Sequence, residues 1–414
     1  MNLFNKPINQ ITYEDVVTFC QLGIGEGVNL DYKEDFPKHL EKSISAFANT
    51  NGGMIIIGVK ENPDCKPQPP FEGIDHIPKL EDRIWNIILD NIYPPVFPEI
   101  QICPPTQNKT FIVIRIPESN ESPHAILNNT NVYLRTGNRN NPEELATIQK
   151  IEWLINRREK SERLRMTLYE SAALRYSKIK QFKQIKIDVV ESMLSFSPVY
   201  PHSPLFDICE SDNIIDKIKT YPNIKNGKLI ILPDDTSVLK PIPGGINQLI
   251  AGEFNRNVIF LSYVEINKFG LIFYTGRLGQ FRTKVVISLR RIFDLLMKAI
   301  TEISAFYKTI GYWGLIEIKF SLQNLLGVRI DYDLGLVEET PEGMMNNKTI
   351  EVDDQLSWQM VTSTPELIDP FKIQHKLLEM THNIIWDLGF KITKDSIKED
   401  LIRTKDWIEY KKTS

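Results

Sequence analysis

The chain has 414 residues, enough for two or three domains, and its 42% hydrophobic and 25% charged residues are ordinary for a globular protein. Its net charge of -4 favours neither an anionic nor a cationic partner. Four scattered cysteines without a C-x-x-C pair exclude a cysteine zinc site and a disulfide framework, and no apolar run approaches the roughly 18 residues of a membrane helix, so we expect a cytoplasmic protein.

The spacing of apolar residues predicts short helices and strands in the first 145 residues. In chain order they are a helix over Tyr13–Cys20, a strand over Val28–Lys33, a helix over Leu40–Ala48, a strand over Met54–Val59, a helix over Leu80–Ile92, and strands over Phe111–Ile116 and Val132–Arg135. Short helices among strands that can pair as hairpins are typical of an α+β domain.

Beyond this region we expect one or two helices over Pro142–Phe182, followed by a C-terminal domain of mixed α/β type. Its predicted strands are Lys228–Leu232, Asn257–Ile266, Leu271–Tyr274 and Leu315–Phe320, and its predicted helices are Val285–Ile310 and Asp369–Leu388. No motif in this C-terminal domain identifies a ligand.

Charge changes abruptly along the chain. Residues 1–145 carry 19 acidic and 12 basic residues, a balance of about -7, whereas residues 150–186 carry 11 basic and 4 acidic residues, a balance of about +7. We therefore divide the chain into a first domain over residues 1–145, a basic helical linker over residues 146–185 and a C-terminal domain over residues 186–414.

The stretch AFANTNGGMIIIGVKEN, residues 46–62, resembles a phosphate-binding loop only superficially. Val59 stands where the lysine of that loop should follow Gly58, and neither Ser nor Thr follows Lys60. The run MIII between the glycines is apolar and β-branched, which is typical of a buried strand rather than an open loop. We predict the end of a helix, a turn and a core strand, with Glu61 at the strand exit.

Three acids lie beside the first two predicted strands. Glu26 and Asp31 flank or enter the first strand, and Glu61 follows the second. If the two strands are neighbours in a sheet, the three carboxylates converge at one edge. Because apposed carboxylates repel unless protons or cations lie between them, such convergence predicts a site for a hard cation such as Mg²⁺ or Mn²⁺. Such a site can activate water or the 2′-hydroxyl of RNA and stabilise the leaving oxygen in phosphodiester cleavage. The alternative is three solvated surface acids.

Four motifs in residues 26–138 resemble the AlbA-like domain of the Schlafen family. The family pattern E-x4-E-F-K, S-A-F-A-N-T-x-G-G, G-V-D-D and Y-x-R-x-G-x-x-N has counterparts here, which are Glu26 to Lys33, Ser45 to Gly53, Gly58 to Glu61, and Tyr133 to Asn138. The resemblance covers about a third of the chain, and its second motif is long and specific.

The resemblance implies a site and an activity. In nuclease members of the family three acids cleave tRNA and rRNA, and these acids fall on Glu26, Asp31 and Glu61, with Asp and Glu exchanged at two positions. We therefore expect these three residues to bind Mg²⁺ or Mn²⁺ and, together with Lys33, to form the catalytic site. Lys33 would hold the scissile phosphate, with a plain salt bridge as the alternative. Nuclease members work as paired lobes, so a homodimer is a further expectation.

Basic side chains are the expected contacts to RNA, because nucleic-acid affinity depends strongly on Lys and Arg meeting phosphates. The candidates are Lys33, Arg135, Arg139, Arg157, Arg158, Lys160, Arg163 and Arg165. For the helical members of this set, the alternative is pairing with acids of the same helix. Asn49, Gly52 and Gly53 are expected to form the turn that aims Glu61, with Asn49 capping it and both glycines supplying positive φ.

Two functions follow from these patterns. The first is a metal-dependent endoribonuclease that cleaves structured RNA such as tRNA, suited to antiviral defence in bacteria, with the C-terminal domain as a sensor of a phage-derived or cellular trigger. The second is a non-catalytic regulator that binds DNA or RNA, or a partner protein, and in which the acids are structural.

Overall fold

The computed structural model describes residues 3–119, 121–127, 130–136, 143–182, 190–201, 203–254, 257–278, 286–312, 314–332, 334, 347–351 and 353–403. The chain divides into two compact units, Met1–Ser161 and Glu162–Ser414. Both contain helices and sheets, and the predicted α+β class is confirmed. Within the described ranges, no helix combines the length and apolar character that crossing a bilayer requires.

The first unit is built on a four-stranded sheet with the order β1-β2-β7-β5. Strands β1 and β2 are parallel, and the other two pairs are antiparallel. The elements of this unit are α1 (Tyr13–Gln21), β1 (Leu30–Lys33), α2 (Leu40–Asn49), β2 (Gly53–Ile57), β3 (Ile74–Asp75), α3 (Leu80–Asn91), β4 (Ile92–Tyr93), β5 (Glu99–Ile102), β6 (Lys109–Thr110), β7 (Ile112–Ile116), β8 (Ala125–Ile126), β9 (Asn131–Arg135) and β10 (Glu143–Leu145).

Strand β2 is buried on both faces, which explains its uninterrupted apolar sequence. Ile55 and Ile57 pack with residues of α2 and α3, whereas Met54 and Ile56 pack with residues of α1 and β1. The prediction of a core strand is confirmed, and a phosphate-binding loop at this position is excluded because the residues between the glycines are inaccessible.

A second sheet, with the order β10-β9-β8-β4, packs on α2. Its long strand β9 carries Tyr133 and Arg135, which point to the same side because side chains alternate along a strand. The Lys42 ammonium of α2 lies 4.8 Å from the centre of the Tyr133 ring, and the Arg135 guanidinium lies 4.6 Å from that of Phe47. The predicted strand therefore has an inward face that meets the S-A-F-A-N-T helix.

Residues 148–182 of the predicted basic linker form a single helix, α4 (Ile148–Phe182), and the division between the two units falls within it. The helix begins later than predicted, because Glu143–Leu145 pair with β9 as β10. In the second unit, the helix residues Ala172 and Tyr176 pack against Met193 and Phe273 of a large sheet. The segment is therefore part of folded structure at both ends.

The second unit contains a seven-stranded antiparallel sheet with the order β12-β13-β14-β15-β11-β17-β20. A small sheet, β16-β18-β19, accompanies it. The elements are β11 (Glu191–Pro198), α5 (Ser211–Lys219), β12 (Lys240–Ile242), β13 (Gly245–Phe254), β14 (Asn257–Asn267), β15 (Ile272–Arg277), β16 (Val286–Ser288), α6 (Leu289–Thr309), β17 (Leu315–Gln323), β18 (Arg329–Asp331), β19 (Asn347–Thr349), β20 (Gln355–Ser363), α7 (Thr364–Ile368), α8 (Pro370–Asp387) and α9 (Lys394–Arg403).

One predicted strand of this unit is wrong. Lys228–Leu232 is not paired in a sheet. The backbone N–H groups of Ile230, Ile231 and Leu232 instead donate to the buried carboxyl of Glu302 on α6, at 2.6, 2.9 and 2.9 Å. A side chain from a distant helix thus satisfies the amides that a neighbouring strand would otherwise bind, and apolar periodicity cannot indicate this.

Candidate active site

Local turns bring Glu26 and Glu61 to Asp31. The N–H of Gly27 donates to the carbonyl of Leu30 at 3.0 Å, and this turn folds Glu26 back so that its Oε1 accepts from Tyr32 N at 2.8 Å. After β2, Glu61 pairs with Pro67 across a short hairpin. The Glu26 N–H donates to the carbonyl of Cys65 in that hairpin at 2.8 Å. The structure therefore brings together the three acids that the sequence analysis selected, here called the acid cluster.

The carboxyls of the acid cluster share protons. Burial and the neighbouring Asp31 raise the pKa of Glu26 to about 8, so that Glu26 holds a proton near neutral pH and donates it in hydrogen bonds to Asp31 or Glu61. Burial raises the pKa of Glu61 as well. Burial opposes ionisation of Asp31 too, but the hydrogen bond from Glu26 and the charges of Lys33 and Arg135 hold its pKa below the ordinary value.

Two cations bind the ionised Asp31, which is completely buried. The Lys33 ammonium lies 2.7 Å from Oδ2 and 3.8 Å from Glu26 Oε1, and its side chain is 30% exposed. Arg135 Nη2 donates to Oδ1 at 2.9 Å, and the Arg135 side chain is 0% exposed. The salt bridge that was the alternative for Lys33 is thus present in this structure, and Lys33 is the cation at the edge of the site.

Arg135 cannot contact a nucleic-acid backbone, and this prediction is wrong. Its guanidinium lies entirely inside the first unit, with acceptors on the turn between Glu26 and Asp31. Because side chains alternate between the two faces of β9, a shift of one residue decides whether the Arg135 side chain points inward. The sequence alone did not identify Asp31 as its partner. Arg139, Gly137 and Asn138 lie outside the described residues.

The turn before β2 differs from the expectation in two of its three residues. Gly52 has the expected positive φ of 68°, but φ is not positive at Gly53. Gly53 is required for space, since a Cβ atom there would lie 2.8 Å from the carbonyl oxygen of Asn29. Asn49 does not cap the turn: its side chain donates to the carbonyls of His124 and Tyr133 at 2.9 and 3.0 Å and accepts from His124 N at 2.8 Å.

Asn62 is a positioning residue that the sequence analysis missed. Its Oδ1 accepts from the backbone N–H groups of Asp64 and Lys66, both at 3.0 Å, and so shapes the hairpin whose Cys65 carbonyl binds Glu26. The signal was available, because the dipeptide Asn62-Pro63 soon after the predicted strand favours a turn.

The charge of α4 is largely compensated by acids from elsewhere in the chain. Within the first unit, Arg157 pairs with Glu118 and also donates to Ser119 and Ser122. Within the second unit the pairs are Arg165 with Glu317, Arg175 with Glu265 and Lys180 with Glu191. The predicted RNA contacts at Arg157 and Arg165 are therefore wrong for this structure, because both guanidinium groups are mostly buried in ion pairs. Lys160 and Arg163 are exposed, and Arg158 is half-buried.

The carboxylate oxygens of the acid cluster are the ligand type that a hard divalent ion prefers, but their present positions do not form a metal site. Glu61 Oε1 is inaccessible to solvent and receives no hydrogen bond from an N–H or hydroxyl group of the described residues. Among all residues that the structure describes, no three His, Cys, Asp or Glu side chains are placed to hold a metal ion in their present positions. A proton on Glu26 and the Lys33 ammonium now balance the charge that such an ion would balance.

The raised pKa of Glu26 predicts how stability depends on pH. Native Glu26 keeps its proton up to about pH 8, whereas the unfolded chain loses it near 4.5, so the unfolding free energy should fall as pH rises through this interval. In Glu26→Gln, which keeps a neutral side chain, urea titrations between pH 5 and 8 should show a clearly smaller fall. Equal pH slopes for parent and variant would contradict the protonated state of Glu26.

Comparison with known proteins gives one family match. Residues 26–144 match the family model described as Schlafen, AlbA_2. No curated protein matches the chain. Among solved structures, the N-terminal domain of an ATP-dependent DNA helicase RecG-related protein from Nitrosomonas europaea is 20% identical, over 26% of this chain and 74% of that chain, with a TM-score of 0.21. A likeness of this size carries no argument about fold or function.

Proposed function

Residues 26–144 form a domain of the Schlafen AlbA_2 family, and from this premise we propose that the chain is a divalent-metal-dependent endoribonuclease that cleaves structured RNA such as tRNA. The family indicates a function related to nucleic acid. The observation that best supports cleavage is the acid cluster, in which three carboxyls share hydrogen bonds beside the partly exposed Lys33. Clusters of carboxyls with displaced pKa values are more frequent at functional sites than elsewhere.

Glu26, Asp31 and Glu61 would hold Mg²⁺ or Mn²⁺ through carboxylate oxygens, the ligands that both ions prefer. The bound ion would supply positive charge that stabilises the attacking and leaving oxygens of the phosphodiester. For the site to accept it, Glu26 must lose its proton and Lys33 must leave Asp31. Metal affinity should therefore increase with pH up to about 8, because the ion replaces a proton.

The side chains have separate roles in this proposal. Lys33, released from Asp31, binds a non-bridging oxygen of the scissile phosphate. Glu26 would give up its proton when the ion binds and would then act as one of its carboxylate ligands. Arg135 stays bound to Asp31 and touches no substrate.

Three basic residues of α4 are the remaining candidates for holding the RNA backbone, namely the exposed Lys160 and Arg163 and the half-buried Arg158. We expect Arg158→Gln, Lys160→Gln and Arg163→Gln together to weaken tRNA binding and to reduce the slope of log K against log salt by about 2 to 3, since each lost phosphate contact removes about 0.7–0.9. Fluorescence anisotropy at several salt concentrations measures this slope. An unchanged slope would show that α4 does not contact the backbone.

A direct experiment is to incubate the full chain with total tRNA and either Mn²⁺ or Mg²⁺ and to sequence the fragments. We expect cleavage at defined positions that stops on addition of EDTA. Intact tRNA with both metals, from protein that binds tRNA, would reject the ribonuclease. We further propose that the active form is a homodimer and that the cleavage stops translation during phage infection; analytical ultracentrifugation with tRNA and a phage plating assay test these two points.

The Asp31–Arg135 ion pair favours a second candidate, a nucleic-acid-binding regulator without catalysis. A buried acid that is already paired with a buried cation needs no metal to explain it. In that case RNA or DNA binding would be the same with and without Mn²⁺, and replacing Glu26 or Glu61 would not change it.

A further inference from the structure

We infer that Arg135 is the positioning residue of the acid cluster: it fixes the turn that carries Glu26 and Asp31, so its loss would weaken metal binding without removing a ligand. This inference rests on the proposed function for its metal readout but not for its structural readout. It differs from the role first expected for Arg135, which was contact with RNA.

Three acceptors of one short turn bind the same guanidinium. Arg135 Nη2 donates to the carbonyl of Leu30 at 3.1 Å and to Asp31 Oδ1 at 2.9 Å, and Nε donates to the carbonyl of Gly27 at 3.3 Å. These acceptors lie between Glu26 and Asp31, so the guanidinium sets the distance between the two carboxyls. Side chains that hold metal ligands in place through hydrogen bonds act in this way.

The guanidinium is itself fixed from the other side. It stacks on the Phe47 ring of α2, and Glu143 Oε1 lies 3.7 Å from its Nη1. The backbone N–H of Arg135 donates to Thr50 Oγ1 at 2.9 Å. Arg135 therefore joins the β9 motif and the S-A-F-A-N-T helix to the turn of the acid cluster.

Arg115 is a matched control for Arg135. It belongs to the same unit, its Nη1 pairs with Glu99 at 3.0 Å, and its Nη2 donates to the carbonyls of Leu3 and Lys6 at 3.0 and 2.8 Å. It thus has one carboxylate and two backbone acceptors, as Arg135 has, but none of them belongs to the acid cluster.

The test compares Arg135→Gln, Arg135→Lys and Arg115→Gln in the full chain. Calorimetric titration with Mn²⁺ alone should show binding weakened about 10–100-fold in Arg135→Gln, a smaller loss in Arg135→Lys, and no change in Arg115→Gln. Hydrogen exchange, read by mass spectrometry without metal, should be faster in the peptide covering residues 26–31 for Arg135→Gln but not for Arg115→Gln.

The two readouts separate the two claims. Parent protein that binds no Mn²⁺ would contradict the proposed metal site, and the exchange of residues 26–31 would still decide the role of Arg135. Unchanged exchange of that peptide in Arg135→Gln would overturn the inference, whatever the metal does. Equal loss of Mn²⁺ affinity in Arg135→Gln and Arg115→Gln would overturn it too, because it would reflect general destabilisation.

Discussion

The Glu61→Gln variant is expected to lose at least about 100-fold of the Mn²⁺-dependent cleavage of tRNA while keeping the stability of the parent. A carboxylate that binds the ion contributes to several kcal/mol of transition-state stabilisation, and each 1.36 kcal/mol corresponds to a tenfold change in rate. Stability should be kept because glutamine has the shape of glutamate and Glu61 Oε1 receives no hydrogen bond from an N–H or hydroxyl group of the described residues that the substitution could remove. Single-turnover cleavage of labelled tRNA and urea unfolding measure the two quantities.

Glu34→Gln is the control for this substitution. Glu34 follows β1, is 59% exposed and pairs with Lys60 at 3.1 Å, so it is an acid close to the site but outside the acid cluster. We expect it to cleave tRNA at the rate of the parent. Should Glu61→Gln cleave as fast as Glu34→Gln, the acid cluster would have no part in the reaction.

Asp31→Ala is expected to destabilise the first unit by about 3–5 kcal/mol, because it leaves the guanidinium of Arg135 buried without its carboxylate. Chemical denaturation measures the effect, and Asp75→Ala is the control, since Asp75 is 71% exposed and pairs with Lys109 at the surface. We expect no measurable change in that control. Asp31→Ala as stable as the parent would show that the ion pair does not hold the turn.

This expectation affects how loss of cleavage is interpreted. Alanine at position 31 would remove a proposed metal ligand and a structural ion pair at once, so an inactive Asp31→Ala protein would not distinguish a nuclease from an unfolded domain. Glutamine keeps the shape of the side chain at both Glu26 and Glu61, and at Glu26 it also keeps the side chain neutral, so these are the informative changes.

The sequence predicted what depends on local pattern. The strand around MIII was predictable because it is apolar over its whole length, and the acids were predictable because they lie beside the first two strands. How they meet was not predictable, because Glu26 precedes β1 and Glu61 follows β2, at opposite ends of a parallel pair, and only the turn at Gly27 and the hairpin after Glu61 bring them to Asp31. The partner of Asp31 was not predictable, because Arg135 lies 104 residues further along the chain and reaches Asp31 only through the packing of β9 on α2. The same applies to Glu302, which replaces a sheet partner for the amides of Ile230 to Leu232.

Long-range ion pairing also explains the error over α4. A run of basic residues suggests a surface for phosphate, but local sequence shows only the acids of the same helix. The acids that bind Arg165, Arg175 and Lys180 come from strands that follow later in the chain. Charge along a sequence is therefore a poor measure of charge on a surface when the segment belongs to a folded core.

The ion pairs of α4 bear on where the chain can be cut for separate expression. A C-terminal fragment starting at residue 186 would discard Arg175, Tyr176 and Lys180. Buried Glu191 would then lose the hydroxyl and the ammonium that bind it, and buried Glu265 would lose its cation and keep the hydrogen bond from Tyr263. A fragment starting at Glu162 would retain all three residues and would keep Ala172 and Tyr176 of the helix packed against Met193 and Phe273.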